Sequence, residues 1–408
     1  MNAQTAGTSA ASRHMFGIFC VASYLLSVSY GTTFLLSLLV ATRGGNEANS
    51  GAVISIAMFS TIIAVIFSGH LTDLIGVVKM MAISGILLAL ACVGFALVPG
   101  LGWPLLACGL LLGTGWGIFY TLGAIIVATM IEPLRRIKYM ALLSGCMMSG
   151  IGTGPLIGRV ATAAGASIEA AFYAAAVASV AGSMIFLLLE KHIRHGQRSL
   201  GGAPAGRITL AAVRSVLTSN ALFPIIMVGL GGCIFGALSS FQTSYAHFHQ
   251  LDYSLFFIGF MVVAIGCRLL VAGMLVRRDP YVSAVMLSGL TVLSIVMFLF
   301  FVDSQFTYLL AAIVLGVGYG LTYSVINGLA ANDAPSGQIS QSLLLFSLSY
   351  IVGIFGFPFL AGKFIVNFGV SALLLSILVI AIINWMVAIT RLIKRHRRAK
   401  KLGASLVT

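Results

Sequence analysis

Twelve stretches of this chain are apolar for long enough to cross about 30 Å of hydrocarbon as a helix. They cover residues 15–40, 52–68, 79–98, 105–130, 138–162 and 168–189, then 221–246, 254–276, 282–302, 306–330, 341–363 and 371–390. In lipid a helix satisfies its own backbone polar groups, so runs of this kind are read as spanning helices. Only 8% of the residues are charged, against about 25% in an ordinary soluble domain. The expected class is an all-α polytopic membrane protein. The first run is longer than the apolar core of a signal peptide and no A-x-A-like cleavage site follows it, so it is read as the first transmembrane helix.

The fifth run contains Gly150-Ile151-Gly152-Thr153-Gly154-Pro155-Leu156-Ile157-Gly158-Arg159. In a soluble helix Pro155 would cost about 3 kcal/mol; a membrane helix tolerates it because its surroundings satisfy the freed carbonyl. Gly150, Gly154 and Gly158 share one face and let another backbone approach closely, so a bent, tightly packed helix is expected. The pattern returns. Gly353 and Pro358 lie 203 residues after Gly150 and Pro155. The same offset of 203 carries Gly113-Thr114-Gly115-Trp116-Gly117, with Tyr120, onto Gly316-Val317-Gly318-Tyr319-Gly320, with Tyr323. Two motifs sharing an offset of half the chain indicate a duplicated unit of about 200 residues. The expected organisation is a six-helix bundle at 1–189, a cytoplasmic linker at 190–220, a second, pseudo-symmetric six-helix bundle at 221–390 and a basic tail at 391–408. Within the linker, residues 207–214 have the pattern of a short amphipathic helix on the cytoplasmic face.

Orientation follows from lysine and arginine. With both termini cytoplasmic, 19 of the 23 basic residues fall inside, leaving Arg43, Arg159, Arg268 and Lys363. The net charge of +14 is therefore a topological signal, and no nucleic-acid partner is expected. The run Lys394-Arg395-His396-Arg397-Arg398-Ala399-Lys400-Lys401 is expected to rest on anionic lipid headgroups of the cytoplasmic membrane. Cys20, Cys92, Cys108, Cys146, Cys233 and Cys267 all fall in apolar runs without a C-x-x-C pair. They read as packing residues rather than a disulfide or zinc framework.

Between the second and third runs stands Gly69-His70-Leu71-Thr72-Asp73-Leu74-Ile75-Gly76-Val77-Val78-Lys79. Glycine permits a tight turn, and Asp73 suits a helix end or an arginine partner. This stretch resembles the loop motif G-x-L-x-D-x-x-G-x-x-K/R of the major facilitator superfamily, with Leu74 and Val77 where basic residues are common. The counterpart loop of the second half, residues 273–279, is more degenerate. The glycine–proline stretch resembles the superfamily's fifth-helix motif G-x-x-x-G-P-x-x-G-G, found chiefly in exporters and antiporters; Arg159 replaces its last glycine. The resemblance covers nearly the whole chain and extends to the bacterial efflux-type members. It implies two bundles that alternate in access, with Asp73 as a cytoplasmic latch and Gly69, Gly76, Gly150, Gly154, Pro155 and Gly158 as conformational elements. The fourth-helix arginine of many proton-coupled exporters is replaced by Gly109, and all nine acidic residues are assigned to loops or helix ends. A buried carboxylate, the usual proton carrier, is thus missing, and the coupling ion stays open.

Candidate substrate-cavity residues come from polarity. Ser23, Ser27, Tyr30 and Ser37 recur on one face of the first helix, and Ser239, Gln242 and Thr243 form a similar cluster in its repeat partner. Tyr120 and Tyr323 are repeat equivalents. Arg268 falls fourteen residues into its run, roughly 21 Å deep. It is either a substrate-facing charge or a structural arginine. Arg159 and Lys363 read as snorkelling residues, and Trp103 and Trp385 as interfacial anchors. His247, His249 and Asp252 read as a solvated loop rather than a metal site. No cofactor, metal or catalytic signature is expected. The leading reading is a monomeric secondary transporter that exports small organic molecules by alternating access. The alternative is uptake or exchange of an organic anion recognised by Arg268. A multispan enzyme or a receptor stands third, without a catalytic motif or a sizeable extramembrane domain to support it.

Overall fold

The computed structural model describes residues 2–130, 133–199, 210–268 and 279–405, nearly all helical and none in a strand. Two compact units emerge, Met1–Pro204 and Ala205–Thr408, dividing inside the expected linker. In the first unit the helices are α1 (Asn2–Thr32), α2 (Leu36–Thr42), α3 (Glu47–Ile75), α4 (Val77–Leu97), α5 (Trp103–Met130), α6 (Pro133–Ala163) and α7 (Glu169–Ser199). In the second they are α8 (Leu210–Leu217), α9 (Leu222–Phe248), α10 (Ser254–Gly266), α11 (Pro280–Phe300), α12 (Gln305–Asn332), α13 (Ile339–Ile351), α14 (Phe357–Phe368) and α15 (Val370–Ser405). Among the described residues, ten spans are long and apolar enough to cross a membrane. The other two of the twelve predicted runs hold α6 and α10.

Several boundaries differ from expectation for physical reasons. A 3-10 turn, Thr33–Leu35, separates α1 from α2, so the first span is not one uninterrupted helix. Helix α7 continues to Ser199, because nothing in the polar stretch after Leu189 breaks a helix. Helix α15 likewise passes the expected boundary at 390 and runs for 36 residues, about 54 Å, longer than the hydrocarbon is thick. The amphipathic helix appears as α8; residues 207–209 and 273–278 lie outside the described ones.

The two units repeat one internal packing scheme. Helix α5 lies between α3 and α4, and α12 lies between α10 and α11. The doubled glycine motif explains how. A Cβ on Gly113 would strike the carbonyl of Ala57, and one on Gly117 would crowd Thr61, both on α3. Gly115 points the other way, onto Ser84 and Leu88 of α4. In the second unit Gly316 and Gly320 abut Phe260 and Ala264 of α10, while Gly318 abuts Leu287 and Thr291 of α11. Every one of these pairs is related by the offset of 203. Alternate glycines thus let the middle helix approach two neighbours at backbone distance.

The proline motif has a similar explanation. Pro155 sits inside the continuous helix α6 and has no N–H for the carbonyl of Ile151, four residues earlier. That carbonyl is the atom a Cβ on Gly31 of α1 would strike. In the second unit Pro358 leaves the carbonyl of Ile354 in the same position, and a Cβ on Gly236 of α9 would strike it. Here a π-helical turn, Val352–Gly356, precedes the proline. In both units the first long helix therefore presents a glycine to the carbonyl that the proline frees.

Candidate functional site

The expected cavity residues of the first unit are held by their own helix and its neighbours. Ser23 and Ser27 are buried and donate to the carbonyls of Phe19 at 2.9 Å and Ser23 at 2.7 Å. Their face of α1 packs on α6, where a Cβ on Gly150 would meet Ser27 and the carbonyl of Tyr24. Gly154 abuts Gly31 and Thr32, and Gly158 abuts Leu35; Tyr24 and Thr153 share a hydrogen bond of 3.0 Å across the same seam. Tyr30 stacks on Trp116 at 4.3 Å, and Trp116 lies 6.1 Å from Tyr120. Ser37 falls beyond the 3-10 turn, in α2.

The second unit carries the equivalent stack, Phe235 on Tyr319 at 5.3 Å, with Tyr323 one turn further along α12. The polarity pattern passes over Trp116 and Tyr319, although the offset of 203 relates them as it relates Tyr120 and Tyr323. Arg268 closes the described part of the α10 segment in a π turn and is only 6% exposed. Its Nε donates to the carbonyl of Gly320 at 3.2 Å, and its guanidinium carbon lies 5.4 Å from the centre of the Tyr323 ring. Tyr323 makes edge contacts with Phe346 and Tyr350. A planar cation is thus seated on an aromatic face beside a helix carbonyl.

On α9, Gln242 donates to Tyr308 at 2.8 Å and borders a small apolar pocket with Leu238, Phe241, Tyr245, Phe298 and Leu374. Ser239 and Thr243, one turn apart, are buried, and neither hydroxyl makes a hydrogen bond. Unlike the serines of α1, they are not satisfied by their own helix. The backbone between them departs from helical geometry at Phe241 (φ −116°, ψ 16°).

In the loop-motif stretch, Gly69 and Asp73 occupy the last two turns of α3, and Gly76, at φ +93°, makes the sharp link to α4. The side chain of Asp73 lies outside the described ones. His249 stacks on Tyr245 at 4.6 Å, and burial pushes its imidazole below the usual histidine range. Asp252 accepts from the backbone and hydroxyl of Ser254. Lys363 sits over Phe359 and Trp103 is exposed at the start of α5. Trp385 is not at a helix end: it lies in mid-span of α15 with its indole against Gly289.

One charged cluster escapes the sequence reading. Asp333, at the end of α12, receives Arg391 of α15 through Nε at 2.9 Å and Nη2 at 2.7 Å, and the hydroxyl of Tyr281 at 2.8 Å. Arg391 and Arg395 both stack on Tyr281, and Arg395 pairs with Asp279, the N-cap of α11. Burial raises the Asp279 carboxyl, but the Arg395 guanidinium and the N–H groups of Tyr281 and Val282 outweigh it and hold the group below the usual carboxylate range. In the first unit, Arg43 donates to the carbonyls of Phe95 and Ala96 at the end of α4.

Two helical units with, among the described residues, ten membrane-length spans define a polytopic membrane protein. The chain belongs to the Major Facilitator Superfamily, whose family model matches residues 17–356. A relative in Bacillus subtilis (strain 168), an uncharacterized MFS-type transporter called YqjV, is 24% identical over 224 residues, covering 55% of this chain and 53% of that protein. The chain thus aligns with about half the length of that relative. Solved structures share the fold. The nucleoside transporter NupG superposes with a TM-score of 0.71 at 14% identity, covering 93% of this chain and 98% of that one. The human organic anion transporter MFSD10 (TETRAN) gives 0.66 at 15% identity, covering 92% and 99%.

Proposed function

We propose that the protein is a secondary transporter that exports a small polar organic molecule across the cytoplasmic membrane by alternating access. The observation that carries the substrate side of this reading is the pair of buried hydroxyls on Ser239 and Thr243 without hydrogen bonds. Each unsatisfied hydroxyl costs about 1–3 kcal/mol, and a polar ligand group would recover it. Export, rather than uptake, is supported by the resemblance of the α6 motif to the exporter pattern. Gln242, on the same helix α9, joins Ser239 and Thr243 in the proposed substrate set; Ser23 and Ser27, satisfied by their own helix and packed on α6, are not part of it. A second reading, uptake or exchange of an organic anion, is favoured by Arg268, a buried cation on the Tyr323 ring, and by a fold neighbour that is an organic anion transporter. A substrate screen in inside-out and right-side-out vesicles, with and without a proton gradient, separates them. Accumulation of neutral or zwitterionic solutes in inside-out vesicles supports export; accumulation of carboxylates in right-side-out vesicles, lost in Arg268→Gln, replaces it with the anion reading.

A further inference from the structure

The α1–α6 seam brings two thiols together. Phe16 meets Tyr139 edge-to-face at 4.5 Å, and further along Gly150 lies against Tyr24 and Ser27. Between these contacts, Cys20 of α1 stands one turn before Tyr24, and Cys146 of α6 stands one turn before Gly150. The two thiols act on one another electrostatically, and both are free. Packed helices usually keep their axes 8–10 Å apart, whereas a disulfide needs Cα atoms about 4.4–6.8 Å apart. The backbone contact at Gly150 draws the two helices together, and the two cysteines, each one turn before that contact, stand at the same level of the seam.

We propose that Cys20 and Cys146 are a redox modification site, a dithiol that a peroxide closes into a disulfide fastening α1 to α6. One sulfur attacks the peroxide oxygen, breaking the O–O bond and releasing water or an alcohol, and becomes a sulfenic acid. The second sulfur displaces the sulfenic oxygen as water and the S–S bond forms. The two sulfurs give up two electrons, the peroxide accepts them, and both thiol protons leave in the products. A small neutral peroxide partitions into the seam, and a dithiol reductant reverses the bond by exchange. The seam so fastened is the one that carries Pro155 and its freed carbonyl, so oxidation holds α1 and α6 in a single register.

The test uses purified full-length protein treated with hydrogen peroxide, denatured, labelled with a maleimide polymer and resolved by gel shift. Wild-type protein should lose two of its six cysteine adducts and regain them with dithiothreitol. Non-reducing peptide mapping should find the Cys20 and Cys146 peptides joined, about 2 Da lighter than their sum. Cys20→Ala should show no paired loss, and because the wild-type map is decisive alone, a poorly folding variant does not blunt the test. Retention of all six adducts overturns the proposal, as does a bridge between other cysteines or oxidation of either thiol to the sulfinic acid, about 32 Da heavier, without linkage.

Discussion

At the scale of single residues, two buried cations make opposite demands. Arg391 is held by a carboxylate in a bidentate pair whose side chains are only 9% and 7% exposed. Removing one partner of such a pair leaves a buried charge and costs about 3–5 kcal/mol, whereas removing both for apolar groups is often neutral. Asp333→Asn should therefore lower the melting temperature of the detergent-purified protein sharply, and Asp333→Leu with Arg391→Met should recover most of the loss. Equal melting of the single and double variants would show that the pair is not coupled. Arg268 is bound to the carbonyl of Gly320 and lies over the Tyr323 ring. If it recognises an anionic substrate, Arg268→Gln should weaken binding about ten- to a hundredfold, the equivalent of about 1.5–3 kcal/mol for a charge-assisted contact, with melting unchanged. Arg268→Lys should lose less, keeping the charge without the fork. A structural arginine gives the reverse: early melting and parental affinity in whatever protein folds.

At the scale of helices, the proline motif acts through its partner. Because the carbonyl freed by Pro155 lies on Gly31, Gly31→Ala forces a methyl onto backbone, and overpacking of this kind costs about 1–3 kcal/mol. Thermal melts should fall accordingly, as they should for Gly236→Ala in the second unit; tolerance of both substitutions would mean the seams yield. This relation is half legible in the sequence. The offset of 203 links both prolines and both glycine triplets, because those helices repeat without insertion. Gly31 and Gly236 are 205 apart, so a search at one fixed offset passes over them. The 3-10 turn after Thr32 carries no proline or glycine signal of its own. The Asp333–Arg391–Tyr281 cluster is illegible for another reason: basic residues near a helix end look the same whether they anchor topology or bind a carboxylate. Its outer pair makes a pH prediction. Asp279 has a depressed pKa, so its contribution is present above about 3.9, the ordinary Asp value, and is lost as pH falls through the lower folded value. Hydrogen exchange should show the end of α15 loosening below about pH 4 in the wild type, and no such transition in Arg395→Ala.

At the scale of the whole molecule, a carrier that alternates needs contacts that hold one face closed and then release. From the resemblance at Gly69–Lys79 we propose Asp73 for that role. Asp73 lies in the last turn of α3, where a negative charge opposes the helix dipole. Gly76, with its positive φ, turns the chain directly into α4, which fixes Asp73 close to the link between two spans. Asp73→Asn keeps the shape and removes the charge, so the closed cytoplasmic face should lose its latch while the bundles stay folded. Two measurements check this, one of them independent of substrate. A reporter cysteine introduced on the cytoplasmic side should be labelled faster in Asp73→Asn than in the parent at equal expression, and transport of any substrate found by the vesicle screen should fall. Asp73→Glu, which retains the charge on a longer stem, should lie between the two. Parental labelling and parental transport in Asp73→Asn would remove the latch and leave the loop as a turn that only joins α3 to α4.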